Sequence, residues 1–238
     1  MSNNGTLIRL PLKNVRNCRD LGGYPTPSGS TAFKRFVRSA ELSNITPQET
    51  DVLIEYGIKT ILDLRSPEEV KALPNPLSKD SRFNVLNYDL LPRTNAEETF
   101  LQSHLSRMAL DDLYIHILTM NARIGEVLRI IDLHDDGTVL FHCSAGKDRT
   151  GIIAMLLLSL AGVDDTDILS NYQVSFTYLD QSVEALKKVP ANLLDSKPEY
   201  MIRAMEYLRT TYGSIEAYLI TCGVDERIQR RLIHRITI

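Results

Sequence analysis

Between Gly137 and Gly162 the chain passes from a short β-branched and aromatic run, Thr138-Val139-Leu140-Phe141, through a polar loop into the apolar run GIIAMLLLSLAG, which starts at Gly151. The first run has the composition of a strand. The second falls well short of the roughly 18 to 20 residues that cross a bilayer, so its unbroken apolarity predicts a helix buried in the core of a domain. A strand joined by a loop to a buried helix confines the chain to folds in which sheet and helix pack on one another.

The flanking sequence repeats the alternation. Thr46-Pro47-Gln48-Glu49 combines an N-cap threonine, a proline at the first helical position and a glutamate at the third, and Gly57 supplies the stop. Ile58 to Leu64 then predicts a strand. Ser66-Pro67-Glu68-Glu69 opens a second helix with the same chemistry, and Phe83 to Leu91 predicts another strand, which Pro92 ends. From Asp112 to His134, apolar Leu113, Ile117, Met120, Ile124, Leu128 and Ile131 recur every three or four residues, the stripe of one long amphipathic helix. Beyond Asp164 no strand is expected, and helical periodicity runs over 168–179, 200–208, 215–220 and 227–236. The pattern predicts α/β architecture with a helical C-terminal flank. No linker-like tract divides the 238 residues, so one domain over 1–238 is expected, with a lid or insertion at 93–111, where polar residues predominate.

The balance of 27 basic and 30 acidic residues, a net charge of −3, argues against nucleic acid or any general polyanion as partner, while leaving room for a local basic pocket. Cys18, Cys143 and Cys222 are odd in number and match neither a disulfide framework nor a CxxC motif, which suits a reducing compartment. Met1 to Leu10 lacks the apolar core of a signal peptide, so a cytoplasmic location is expected.

The loop carries the chemistry. His142-Cys143-Ser144-Ala145-Gly146-Lys147-Asp148-Arg149-Thr150 sets five residues between a cysteine and an arginine. That spacing alone is a weak signal, but a loop from strand to helix turns successive N–H groups and a positive helix end toward an anion. A phosphoryl dianion suits the cradle, with Ser144, Ala145, Gly146, Lys147 and Arg149 as its binding set and Arg149 gripping two oxygens as a fork. The same field favours the thiolate of Cys143, so nucleophile and anion site coincide. Gly146 permits the tight turn, and Thr150 is placed to donate its hydroxyl to the sulfur. His142 precedes the cysteine on a strand, so its side chain faces the other way and suits it to hold loop backbone rather than to act as a base. A nucleotide-binding loop fails here because Asp148 follows Gly146-Lys147 and Phe141 stands where the first glycine belongs. Sulfur transfer also uses a loop cysteine, but the arginine fork favours a phosphate dianion.

These residues resemble the active-site loop, HCxxGKDRTG, of the cysteine-dependent tyrosine/serine protein phosphatases of bacteria and fungi. Similar phrases of that family occur at Asn17-Cys18-Arg19-Asp20-Leu21-Gly22-Gly23-Tyr24, Arg38-Ser39, Asp63-Leu64-Arg65-Ser66 and Tyr212-Gly213-Ser214 with Gly223, so the resemblance spans nearly the whole chain. Members usually carry an aromatic at the place of Cys18, a difference of packing. The resemblance implies a four- or five-stranded, mainly parallel sheet with helices on both sides. It also implies a cysteinyl-phosphate intermediate, no metal or other cofactor, and a phosphorylated protein as substrate, foremost phosphotyrosine with phosphoserine and phosphothreonine beside it. A phosphoinositide substrate is the alternative, because Lys147 adds a cation of the kind lipid phosphatases place in this loop. A phosphate-binding module without turnover is the rival from another class.

The proton donor is open among three aspartates, since a chain without tryptophan lacks the Trp-Pro-Asp loop of many tyrosine phosphatases. Asp148 lies in the loop, where the family it resembles also has an aspartate. Asp89 and Asp63 lie near the ends of predicted strands, where α/β sheets bind ligands, and Asp63 is expected to pair with Arg19 or Arg65. Cys18 and Cys222 are expected to serve packing. Near the end, Arg227, Arg230, Arg231, His234 and Arg235 share one side of a helix whose other side carries Ile228, Leu232 and Ile236. That side is either a solvated outer face or a weak contact for an anionic membrane surface.

Overall fold

A computed structural model describes residues 8–91, 110–178 and 195–237. In chain order its strands are β1 (Arg19–Asp20), β2 (Pro25–Thr26), β3 (Gly29–Ser30), β4 (Phe36–Ser39), β5 (Ile58–Asp63), β6 (Asn84–Asn87) and β7 (Thr138–His142). The helices are α1 (Pro47–Tyr56), α2 (Pro67–Ala72), α3 (Leu110–Thr119), α4 (Asn121–Leu133), α5 (Asp148–Leu160), α6 (Asp165–Gln173), α7 (Pro198–Tyr212), α8 (Ile215–Thr221) and α9 (Glu226–Thr237). β2 and β3 form a small hairpin, and the other five strands make one sheet in the order β1-β4-β7-β5-β6. Its four inner and far strands run parallel, and β1 lies antiparallel along the edge. The architecture is α/β, with a five-stranded main sheet and a helical C-terminal flank.

The pleat explains why both faces are covered. Along β7, Val139 and Phe141 enter one apolar cluster while Leu140 enters the other, and β4 divides Phe36 from Val37 in the same way. The larger cluster takes in α3, α4, α5, α7, α8 and α9, and the smaller holds Leu53 of α1 with Leu10, Leu12 and Leu77. Almost every side chain of α5 is buried, which is why its sequence has no polar face.

Three elements differ from expectation. The long helix over 112–134 is two helices, α3 and α4, because Met120 leaves the helical region at ψ 50. The apolar stripe passes across this one-residue break without a change of face, so periodicity does not register it. The strand expected over 83–91 pairs only from Asn84 to Asn87. Its partner β5 ends at Asp63, and the chain there turns into the N-cap of α2. The helix expected from Ile168 to Leu179 starts earlier, capped by Asp164, and tightens to a 3₁₀ turn over Val174–Tyr178. Arg19 Nη2 takes the Asn171 carbonyl (2.6 Å) that a continuing α-helix would offer to residue 175. The insertion expected at 93–111 lies outside the described residues except for Leu110 and Asp111, which open α3. Among the described residues no helix is long and apolar enough to cross a membrane.

Candidate active site

The central strands end in register, with Ser39 and Asp63 both opposite His142. Cys143 therefore leaves the sheet at the carboxyl ends of its parallel strands, where such sheets bind ligands. The loop bends back at Gly146, whose φ is +66 and where an added Cβ would lie 2.3 Å from the Ser39 carbonyl oxygen. Glycine meets both conditions at no steric cost.

Every carbonyl from Cys143 to Lys147 is held from behind. His142 Nδ1 lies 3.2 Å from the Cys143 carbonyl, and the Glu41 amide donates to that of Ser144 (3.1 Å). Asn17 Nδ2 donates to the carbonyls of Ala145 (3.1 Å) and Gly146 (2.9 Å), while Arg38 Nη2 reaches those of Gly146 (2.7 Å) and Lys147 (3.4 Å). In a planar trans peptide the N–H points opposite to the C=O, so carbonyls tied to the scaffold turn the amides into the hollow of the loop. α5 opens on this hollow with no side chain capping its first amides, which adds the positive helix end.

The ties themselves are anchored. Arg38 Nη1 donates to Asn171 Oδ1 (2.6 Å), and Asn171 Nδ2 donates to the Tyr24 hydroxyl (2.9 Å). Arg19 donates to the carbonyl and side-chain oxygen of Asn17 and to Ser175 Oγ. Both guanidiniums are buried, and among the described residues neither touches a carboxylate. Burial pushes the Arg38 pKa down to about 10 and lowers that of Arg19 as well, the latter with help from the Arg38 charge. Two cations thus sit beneath the loop.

Arg149 meets Glu69, the third residue of α2, through two parallel bonds of 2.6 and 2.8 Å. Glu69 also accepts from Ser144 Oγ and from the Ser66 amide (3.0 Å). Burial alone would raise the Glu69 pKa, but the Arg149 fork outweighs it and holds the carboxyl at about 2; the pair raises the Arg149 pKa. The sequence signals Glu69 only as a capping residue, and its second task depends on a contact 80 residues away.

The three aspartates are placed differently. Asp148 accepts from the Tyr114 hydroxyl (2.7 Å) and pairs with Lys147 Nζ (3.0 Å), both on Oδ1. Asp63 is filled by Arg65, which donates from its amide, Nε and Nη2; of its two expected partners, Arg65 is the one it meets. Asp89 is half-buried, accepts from the Leu91 amide (3.0 Å) and has its pKa raised, foremost by burial, within the fields of Arg149 and Arg123. Lys147 is buried rather than solvated and donates to the Asp195 carbonyl (2.6 Å). Burial lowers the His142 pKa, which keeps the imidazole neutral against the Cys143 carbonyl. The Thr150 hydroxyl is buried and has no hydrogen-bond partner among the described residues. Cys18 and Cys222 are buried free thiols, and burial pushes the Cys18 pKa up to about 12. Tyr114, Tyr172 and Asn171 are site residues without any local signal; the two tyrosine hydroxyls lie 2.6 Å apart behind Asp148.

The model of the tyrosine phosphatase family matches residues 10–237. A tyrosine-protein phosphatase of Nostoc commune is 33% identical over 219 residues, which cover 84% of this chain and 74% of that protein. The triple specificity protein phosphatase PtpB of Mycobacterium tuberculosis is 26% identical over 245 residues, covering 83% of this chain and 89% of its own. Among solved structures, P. aeruginosa TpbA aligns at 19% identity and a TM-score of 0.42 over 79% of this chain and 86% of that one.

Proposed function

This chain belongs to the tyrosine phosphatase family, and from that membership we propose that it hydrolyses phosphomonoesters of proteins, foremost phosphotyrosine, through a cysteinyl-phosphate. Cys143 Sγ attacks phosphorus, the bond to the leaving oxygen breaks, and that oxygen takes a proton from Asp148. A water then attacks the thiophosphate, Asp148 accepts its proton, the S–P bond breaks, and thiolate and phosphate are released. The loop amides and Arg149 bind the equatorial oxygens, whose charge develops in the transition state. Both anchors of Asp148 grip Oδ1, which leaves Oδ2 to carry the proton. The unpartnered Thr150 hydroxyl is available to the departing sulfur.

The observation that carries the reading is the tying-back of every carbonyl from Cys143 to Lys147, because it preorganises an anion cradle around one nucleophile. Lys147, on which a phosphoinositide substrate would rest, directs its ammonium to Asp148 and Asp195, so the protein substrate is the reading kept. Intact Cys143, Arg149 and Thr150 speak against a binding module without turnover. Three free, buried cysteines support a reducing, cytoplasmic setting.

The test ranks kcat/KM for phosphotyrosine, phosphoserine and phosphothreonine peptides and short-chain phosphoinositides, with EDTA present. Phosphotyrosine is expected to lead, and Cys143→Ser and Arg149→Ala each to lower turnover by at least about 10³ with the fold retained. Wild-type-like turnover in either variant overturns the mechanism, and a leading phosphoinositide overturns the substrate.

A further inference from the structure

A hollow of about 540 Å³ lies at the end of the sheet opposite the Cys143 loop. Arg35 enters it just ahead of β4 and Asp135 just ahead of β7, whereas the loop follows the last residue of β7. At roughly 3.3 Å per residue, the strand separates the two sites by about 17 Å, too far for one phosphate to serve both.

The hollow is strongly basic within a chain of net charge −3: five arginines and a histidine line it against two aspartates. Several of the guanidiniums already have partners. Arg235 donates to the carbonyls of Ile131 and Gly137, each at 2.7 Å, and lies 4.9 Å above the Phe36 ring. Arg231 forks onto both oxygens of Asp132, and Arg230 pairs with exposed Glu226 at 3.2 Å. The side chains of Arg227 and His234 make no hydrogen bond or ion pair among the described residues. Burial lowers the Arg235 pKa against the opposing pull of Asp135, Asp132 and Asp136, with the Arg35 charge adding to the lowering. Five guanidiniums against two lining carboxylates leave a surplus of positive charge that an anion neutralises.

We propose that this hollow binds a small anion bearing several phosphate groups, at a site separate from that of the substrate phosphate. Arginine forks match phosphate oxygens in pairs, and the volume lies within the range of about 300–1,000 Å³ that small-molecule sites occupy, larger than one phosphate requires. The same cluster of phosphates occurs on soluble polyphosphorylated molecules and on lipid headgroups.

Calorimetric titration of the full chain with inositol hexakisphosphate tests the site. The double variant Arg227→Gln, Arg230→Gln alters two exposed side chains and is expected to keep the fold and the aryl phosphatase activity. Its affinity for the probe is expected to fall at least tenfold, whereas Arg149→Ala, which removes the substrate fork, retains wild-type affinity. Vesicles of phosphatidylcholine with and without phosphatidylinositol bisphosphate separate the two sources. Vesicle binding lost in the double variant assigns a lipid headgroup, and binding of the soluble probe alone assigns a free ligand; either upholds the site. No binding beyond that of sulfate at equal ionic strength, or a loss confined to Arg149→Ala, overturns it.

Discussion

Arg149 and Glu69 already form a two-bond fork before any phosphate arrives, and that pairing sets the angle at which the guanidinium faces the loop. Glu69→Gln keeps the shape but drops the charge-assisted bonds. A misplacement of about 1 Å costs on the order of 10²-fold, so kcat/KM for an aryl phosphate is expected to fall about 10- to 100-fold. The pH dependence has a definite sign. With its folded pKa depressed to about 2 from an ordinary 4.5, Glu69 contributes stability that is fully present above about pH 4.5 and is lost as pH falls through 2. The Tm gap between wild type and Glu69→Gln is therefore expected to close on acidification from pH 6 to pH 2, and a constant gap would refute the pairing as its source. The proton donor is decided by leaving group. Asp148→Asn is expected to slow phenyl phosphate by about 10² to 10⁴ and nitrophenyl phosphate much less, because only the poor leaving group needs the proton. Asp89→Asn is the comparison, since its burial-raised pKa also suits an acid; a selective loss there would move the role to Asp89.

Among the elements, those with local punctuation follow their sequence closely. α1 and α2 each carry a full capping box with proline in the first turn, and Gly57 closes α1 at φ 98. Their start signals need only four consecutive residues, so no distant contact overrides them. The break at Met120 lacks such a signal, and so does the close approach of α4 to the end of α8. An added Cβ on Gly125 would lie 1.8 Å from the Cys222 carbonyl oxygen, which is backbone and cannot rotate away. Gly125→Ala is expected to force the helices apart and destabilise by about 1–3 kcal/mol despite its better helix propensity. Thermal unfolding measures the loss; kcat should stay within about twofold, because the contact is remote from the loop.

Across the whole molecule, the Cys143 loop is supported by side chains from distant parts of the chain: Asn17 and Arg19 ahead of and on β1, Arg38 on β4 and Asn171 on α6. Asn171→Ala removes the side-chain acceptor of Arg38 in a buried site, and leaving such a donor unmet costs about 1–3 kcal/mol. Both Tm and kcat/KM are expected to fall together, and a lowered Tm with unchanged kcat/KM would separate the network from the loop. The sequence by itself determined the α/β class, the strand–loop–helix carrying Cys143 and Arg149, the buried character of α5 and the helical flank. Each rests on periodicity, capping or a short motif, all properties of neighbouring residues. Tertiary structure alone decided that Glu69 holds Arg149, that of the two expected partners Arg65 and not Arg19 fills Asp63, that Lys147 is buried against Asp148 and Asp195, and that Tyr114 and Asn171 line the candidate site. These are contacts between side chains far apart in the chain or of unpredictable direction. Their partners are selected by the packing of whole elements on the sheet, and a linear pattern holds no record of which polar groups that packing leaves face to face.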